Sequence, residues 1–163
     1  MNNKYQGYLK IEDLTYEHLK KKLTAIVANN ALEGQAINVI SARTLKPVES
    51  IGNPERKDFP LVKGREVMVE ADFNAAKGQA FTDMPGDFNG TIDEVLRMRL
   101  IDNFERAVFI STLNAVLRYL NALTCTIHCK DEEPEECARN LVNYVAQQFG
   151  SPKIAFIGLQ PAM

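Results

Sequence analysis

The sequence contains no tryptophan, only two histidines and only three cysteines among its 163 residues. Three cysteines are too few, and an odd number, for a scaffold held together by disulfides. No apolar run approaches the roughly 20 residues that a membrane span needs, and residues 1–14 lack the apolar core of a signal peptide. We therefore expect a cytoplasmic protein without membrane contact, whose thiols are kept reduced.

The charge balance is also nearly even, with 19 basic and 21 acidic residues and a formal net charge of −2. Such a chain has no overall positive field to attract nucleic acid, so we expect no nucleic-acid partner. With 45% hydrophobic and 25% charged residues, the composition is typical of a globular protein that can bury one substantial core.

Catalytic signatures are missing as well. The sequence has no glycine-rich phosphate loop, no Ser-His-Asp order and no H-E-x-x-H pattern. No catalytic residue can be named from sequence, and whether the chain is an enzyme is open at this point.

Helical periodicity and capping residues predict four helices. Thr15 caps the first, which runs to about Asn30. A capping-box pattern begins a short helix over 91–100. A broad apolar stripe predicts the central core helix over 103–121. The last helix begins near Pro134 and ends at Gly150, and its predicted buried side is Cys137, Leu141, Val142 and Val145.

Strand patterns lie between these helices. Residues 36–44 are rich in β-branched side chains, 67–73 alternate with a period of two, and 79–82 can return as the second strand of a hairpin after a turn at 74–78. Proline and glycine predict long loops over 45–66 and 83–90. An apolar run at 154–157 is typical of a strand buried on both faces.

The order of these elements predicts an α+β fold, in which a small, mainly antiparallel sheet packs against helices. We assign residues 1–150 to this domain. Residues 151–163 then contain a final strand, which either closes the same sheet or opens a second domain.

One short stretch, TCTIHCKDEEPEEC, contains four residues with thiol or imidazole side chains that can bind a metal: Cys125, His128, Cys129 and Cys137. Thiolates and an imidazole nitrogen are the ligands that zinc and iron favour, and four of them can complete a tetrahedron. The predicted position of Cys137 near a helix start would favour its thiolate. The sequence thus predicts a site for a soft transition metal.

Two other interpretations of the cluster stay open. The spacing differs from the paired C-x-x-C of zinc ribbons, and Cys137 falls on the apolar stripe of its helix, so packing in the core is an alternative role for it. A nucleophilic or redox role for Cys129 beside His128 lacks a third group to orient the imidazole.

Three polar residues are further candidates for ligand binding. Thr82 and Asp83 follow a predicted strand, where ligand contacts are common, although a capped turn explains them equally well. Asn114 lies within the apolar core helix and needs a buried hydrogen-bond partner, which a loop backbone would also provide.

Several segments together resemble one family. They are GQAFTD (78–83), GTIDEVL (90–96), ERAVFISTLNAVLRYL (105–120) and KIAFIGLQPAM (153–163). In this order they are similar to a family of uncharacterised proteins named for heavy-metal chelation. Its members carry a first domain similar to the N-terminal domain of enolase, followed by a Rossmann-like domain.

The resemblance implies an α+β domain in which a small sheet packs against helices. It also implies that KIAFIG corresponds to the first strand of the Rossmann-like domain. This sequence departs from the family's pattern, because it lacks the rest of that domain. A site between the two domains would then need a partner chain to complete it.

Three functions follow as expectations. The first is a binding domain that chelates zinc or iron through the Cys/His cluster, with the loop after Phe81 and Asn114 nearby. The second is part of an enzyme of small-molecule metabolism, with a pocket completed by a second domain or subunit. The third is a self-associating domain, because an apolar final strand at a sheet edge favours pairing. We accordingly expect a homo-oligomer, or a second domain or subunit packed on the C-terminal strand.

Overall fold

The computed structural model describes residues 15–32 and 39–155. These residues form an α+β fold with one four-stranded antiparallel sheet and six helices, which confirms the predicted fold class. In chain order the elements are α1 (Tyr16–Asn29), β1 (Val39–Leu45), α2 (Pro47–Ile51), α3 (Pro60–Lys63), β2 (Val67–Phe73), β3 (Ala76–Thr82), β4 (Phe88–Thr91), α4 (Ile92–Arg97), α5 (Asn103–Tyr119) and α6 (Glu133–Phe149). None of the described helices is long and apolar enough to cross a lipid bilayer.

The sheet has the strand order β3-β2-β1-β4, so β3 and β4 are its edges. Strand β1 corresponds to the strand predicted over 36–44, of which residues 36–38 lie outside the described part of the chain.

Strands β2 and β3 are joined by a two-residue turn, tighter than the predicted turn at 74–78. Asn74 and Ala75 have φ angles of 50° and 66°, and the Asp72 carboxylate accepts a hydrogen bond from the Ala75 N–H at 2.9 Å. Two successive residues with positive φ produce the twist that a tight hairpin requires.

The main core lies between the sheet and three helices, α1, α4 and α5. Helix α5 lies closest, because β3 offers Gly78 beneath it: a Cβ atom there would collide with the Ala115 nitrogen and the Ser111 carbonyl oxygen. Only glycine permits this approach of helix and strand. The largest fully buried side chains of this core are Phe73, Phe109, Leu23, Ile92, Val27, Val69, Val95, Val108 and Val116.

A second, smaller core explains the segment 45–66, which is predicted as an irregular loop. The segment contains α2 and α3, each with proline in its first turn. Their apolar side chains pack on the end of the sheet, forming a cluster of Leu45, Ile51, Phe59, Leu61 and Met68. The prediction of a long loop is wrong there.

Strand β4 shortens the second predicted loop, 83–90, to residues 83–87. It pairs with β1 from Val39↔Thr91 to Ala42↔Phe88. The capping box that follows is confirmed: the Thr91 hydroxyl accepts from the Glu94 N–H at 3.2 Å, and the Glu94 carboxylate accepts from the Thr91 N–H at 2.7 Å. These two bonds start α4 immediately after the strand.

Helix α6 departs most from its predicted role. Its boundaries agree with the sequence, but Pro134 is its only buried residue. The predicted buried side is open, since Leu141 and Val142 are 45% and 56% exposed and Cys137 is also exposed. After α6, residues 153–155 are exposed and form no strand, and the final strand predicted at 154–157 stays a prediction. The remainder, 156–163, lies outside the described residues.

Candidate functional site

The segment between α5 and α6 runs along the open edge of β3. The Gln79 N–H donates to the Thr126 carbonyl at 2.9 Å, and the Thr126 hydroxyl donates to the Lys77 carbonyl at 2.8 Å. Thr126 is buried by this contact. The Cys/His segment therefore satisfies edge-strand groups of β3 that would otherwise face solvent.

Gln79 holds this segment in place. Its side-chain oxygen accepts from the His128 N–H at 2.7 Å, and its amide nitrogen donates to the Glu70 carboxylate at 2.7 Å. Its main-chain carbonyl accepts from the Asn114 side chain at 3.0 Å. A buried amide with hydrogen bonds at both its oxygen and its nitrogen fixes its neighbours. No sequence motif marks Gln79, which is why it is absent from the predicted site residues.

Asn114 thus has the backbone hydrogen-bond partner that a purely structural role requires. The partner is the carbonyl of Gln79 in strand β3, whereas the sequence predicts a loop carbonyl. Its predicted ligand-binding role stays a prediction. Asn114 also lines a cavity of about 160 Å³ together with Met68, Gln79, Ala80, Phe81, Cys125, Thr126, Ile127 and His128. The structure therefore brings Asn114, Cys125 and His128 to one place.

The His128 ring is held in one chemical state. Its Nδ1 atom lies 2.6 Å from the Cys129 carbonyl oxygen, and a carbonyl can only accept, so Nδ1 carries the proton. Nε2 is then the nitrogen with a free lone pair. Burial lowers the pKa of His128, which favours the neutral ring. Phe81 packs against it edge-on, with ring centroids 5.5 Å apart.

The three cysteines differ in environment. Cys125 and Cys137 are exposed, whereas Cys129 is half-buried. Burial raises the pKa of the Cys129 thiol, and the nearby Cys137 raises it further. The Cys129 thiol is therefore less acidic than an ordinary cysteine thiol. The exposure of Cys137 also overturns its interpretation as a core residue.

The four predicted metal ligands do not form a ready coordination shell in this conformation. Across residues 15–32 and 39–155, no three His, Cys, Asp or Glu side chains are grouped closely enough to hold a metal ion. The imidazole of His128 suits a ligand, because metal-bound histidine commonly donates its other ring N–H to a carbonyl. A zinc or iron site at these residues stays a prediction.

Thr82 and Asp83 lie beside a different and larger cavity of about 550 Å³, which we call the β3 cleft. The Thr82 hydroxyl donates to the Asn103 carbonyl at 3.2 Å and accepts from the Met84 N–H at 3.0 Å. The β3 cleft is lined by Tyr16, Glu66, Gln79, Ala80, Phe81, Thr82, Asp83, Asn103, Arg106, Ala107 and Ile110. It shares Gln79, Ala80 and Phe81 with the smaller cavity, so the two lie side by side along the strand edge.

A third feature is the open side of α6, which we call the α6 face. Its exposed apolar members are Leu141, Val142, Tyr144 and Phe149. The chain beyond Gly150 passes beside the helix and places Pro152 and Ile154 next to it, which leaves an apolar groove of about 280 Å³ lined by Leu141, Val142, Val145, Ala146, Gly150, Pro152 and Ile154. The α6 face is therefore a continuous apolar surface.

The start of α6 is attached to the body of the domain. The Asp131 N–H donates to the Ile51 carbonyl at 2.9 Å, and the Asp131 carboxylate accepts from the Asn53 N–H at 2.7 Å. These bonds join the residues before α6 to the end of α2, while the helix itself extends away.

No protein-family model, no curated protein and no solved structure matches this chain. The resemblance to the enolase N-terminal domain and to the chelation family is therefore not confirmed.

Proposed function

We propose that this chain is a self-associating binding domain, in which the α6 face pairs antiparallel with the α6 face of a second copy. The observation that carries the proposal is the exposure of a 17-residue amphipathic helix, of which only Pro134 is buried. The sheet, α5 and the β3 cleft would then form the part of each copy that remains free to bind a ligand.

Association would be favourable because α6 leaves apolar side chains exposed to solvent. Fully burying a side chain such as Leu, Val or Phe contributes about 1.5–3 kcal/mol relative to leaving it exposed. A helix of this length is marginal on its own, and its stability normally comes from packing of its apolar side. Contiguous exposed apolar surface of this kind usually marks an interaction site.

The sizes of the residues along the α6 face favour an antiparallel pair. The first half presents the small residue Ala138, whereas the second half presents the larger Val145 and Phe149. An antiparallel pair centred between Leu141 and Val142 places Val145 of one copy against Ala138 of the other. A parallel pair would stack the two Phe149 rings and leave a gap where the two small residues meet.

The distribution of charge along α6 also favours antiparallel pairing. The first turn of α6 contains three carboxylates, Glu133, Glu135 and Glu136, and the last turn contains none. A parallel pair would bring both sets of carboxylates together. An antiparallel pair keeps the two acidic ends roughly 25 Å apart, the length of a helix of this size.

The paired surface would be modest. A helix pair of this length lies near the lower limit of specific interfaces, about 1,200 Å² in total, so we expect a dimer that dissociates on dilution. Such an interface has two-fold symmetry, with the same residues contributed by both copies.

Analytical ultracentrifugation over a range of concentrations tests the proposal. The chain should show a monomer–dimer equilibrium, and Leu141→Glu should make it monomeric because a carboxylate would be buried in the pair. Asn143→Glu adds the same charge on the opposite side of α6 and should leave the dimer intact. A chain that is monomeric throughout would overturn the proposal.

Disulfide trapping tests the direction of pairing. In a background where Cys125, Cys129 and Cys137 are replaced by serine, Val142→Cys should give covalent dimers on mild oxidation, because it lies beside the two-fold axis. In the antiparallel pair Ala138→Cys lies far from the same position of the second copy and should not cross-link, whereas a parallel pair would bring these two thiols together. Cross-linking through Ala138→Cys alone would contradict the antiparallel arrangement.

A further inference from the structure

The β3 cleft contains a guanidinium group that is held from one side only. Nε of Arg106 donates to the Leu100 carbonyl at 2.9 Å, and Nη1 donates to the Asn103 side-chain oxygen at 3.1 Å. The group lies over the Tyr16 ring, 5.4 Å from its centroid. Among the described residues Nη2 has no hydrogen-bond partner, so this edge of the guanidinium can bind a carboxylate.

The same asparagine also holds a carboxylate. Its side-chain nitrogen donates to Asp83 Oδ1 at 2.8 Å, so Asn103 connects Asp83 to Arg106 through one amide group. The second oxygen of Asp83 has no partner within residues 15–32 and 39–155. Two opposite charges therefore lie on either side of the exposed Asn103 amide, each with one unused side, and a third charged residue, Glu66, also lines the cleft.

The wall behind these charges is apolar. Ala80 and Ala107 are buried, and Phe81 and Ile110 complete the lining, which offers room for a hydrocarbon side chain. Pockets for small ligands commonly combine an apolar wall with a few polar groups that fix orientation. Thr82 supports the arrangement from below, since its hydroxyl donates to the main-chain carbonyl of Asn103 at 3.2 Å.

We infer that the β3 cleft binds a small zwitterion, an α-amino acid with an apolar side chain. Its carboxylate pairs with the free edge of Arg106, its ammonium group pairs with Asp83, and its side chain contacts Ala107 and Ile110. A ligand with only one of the two charges leaves the other protein charge unpaired and binds more weakly. This inference does not depend on pairing of the α6 face.

Isothermal titration calorimetry of the full chain with L-leucine tests the inference. L-leucine should bind, while leucinamide, which lacks the carboxylate, and 4-methylpentanoate, which lacks the ammonium group, should each bind at least about tenfold more weakly. Equal affinity for all three, or no binding of L-leucine or L-methionine at millimolar concentration, would overturn it.

Two variants assign the charges. Asp83→Asn should weaken L-leucine binding at least about tenfold and leave 4-methylpentanoate binding unchanged, because it removes the partner of the ammonium group alone. Arg106→Lys keeps the charge but loses the second N–H edge, so it should weaken L-leucine binding and leave leucinamide binding unchanged.

Asp93→Asn is the matched control, because it makes the same chemical change as Asp83→Asn outside the cleft and should have no effect on L-leucine binding. Thermal melting of each variant checks that it folds. Unchanged L-leucine affinity in both cleft variants would refute the assignment of the charges.

Discussion

Helices α5 and α6 are both 17 residues long and both amphipathic, yet α5 is largely buried and α6 is largely exposed. Seven residues of α5 are buried, among them Phe109 and Val108 at 0% exposure. In α6 only Pro134 is buried. An apolar stripe in the sequence therefore predicts which face of a helix is buried by packing, but it does not predict what packs against that face. For α5 the sheet does so, and for α6 we propose a second copy.

The contrast between the two helices is tested most strongly by removing one phenylalanine from each. Phe109→Ala should cost about 3–5 kcal/mol of unfolding free energy, because it leaves a cavity in the main core. Phe149→Ala, at a side chain that is 49% exposed, should cost less than about 0.5 kcal/mol at low protein concentration. Urea denaturation measures both. Equal losses would show that α6 packs on the domain after all.

Gly78 beneath α5 and Gly150 at the end of α6 allow the two helices to be compared through their backbone contacts. Gly78→Ala should cost about 3 kcal/mol, since the new Cβ would collide with main-chain atoms of α5. Gly150, at the end of α6, has φ of 72° and ψ of −119°, which residues with a side chain rarely adopt, but it has open space around it, so Gly150→Ala should cost about 1–2 kcal/mol of backbone strain, less than Gly78→Ala. Thermal melts compare the two variants. A harmless Gly78→Ala would mean that α5 can move away from β3.

The segment connecting the helices should respond to pH in a direction set by His128. Burial lowers the pKa of its ring, so the unfolded chain takes up a proton at a higher pH than the folded chain. The stabilisation from keeping His128 neutral is present above the unfolded pKa of about 6.5 and is lost as the pH falls through the lowered folded pKa. Unfolding free energies measured between pH 7.5 and about 5 should therefore decline less in His128→Gln.

His18→Gln serves as the control for that measurement, because it removes the other histidine of the chain. A pH dependence that is lost in His18→Gln and kept in His128→Gln would contradict the assignment.

The four-ligand metal hypothesis makes the remaining prediction. Protein purified anaerobically should contain about one zinc or iron per chain, and Cys129→Ser should lose it. His18→Gln should retain the metal. Elemental analysis by mass spectrometry measures the content, and protein that carries no metal in any of the three forms would contradict the hypothesis.

Much of the fold follows from the sequence alone. The period of two in 67–73 predicts β2 with its observed bounds, and the capping residues Thr15 and Thr91 start helices where expected. These signals are local, so neighbouring residues suffice to specify them.

The errors have physical reasons too. Strand β4 has four residues and contains Gly90, so it offers too little alternation to distinguish it from a loop. Helices α2 and α3 begin with proline and end at glycine, and this signal is present in the sequence but belongs to helices of only four or five residues.

The candidate site was predicted less completely. The sequence singles out Thr82, Asp83 and Asn114, and the structure assigns them to two neighbouring cavities instead of one. Arg106 and Asn103 were missed, because on a helix pattern they resemble ordinary surface residues. Their significance depends on β3 and α1 lying beside them, which is a long-range property of the fold.

The two hydrogen bonds of Asp131 have a consequence for association. They fix the entry to α6 against the end of α2, so the helix leaves the domain in a defined direction even though its sides are uncovered. The orientation of α6 is therefore fixed before a partner docks on it. Less orientational entropy is then lost on binding. Asp131→Ala removes the side-chain bond to Asn53 and keeps the backbone bond to Ile51, so it should loosen this entry and slow productive encounters while leaving the apolar contacts unchanged.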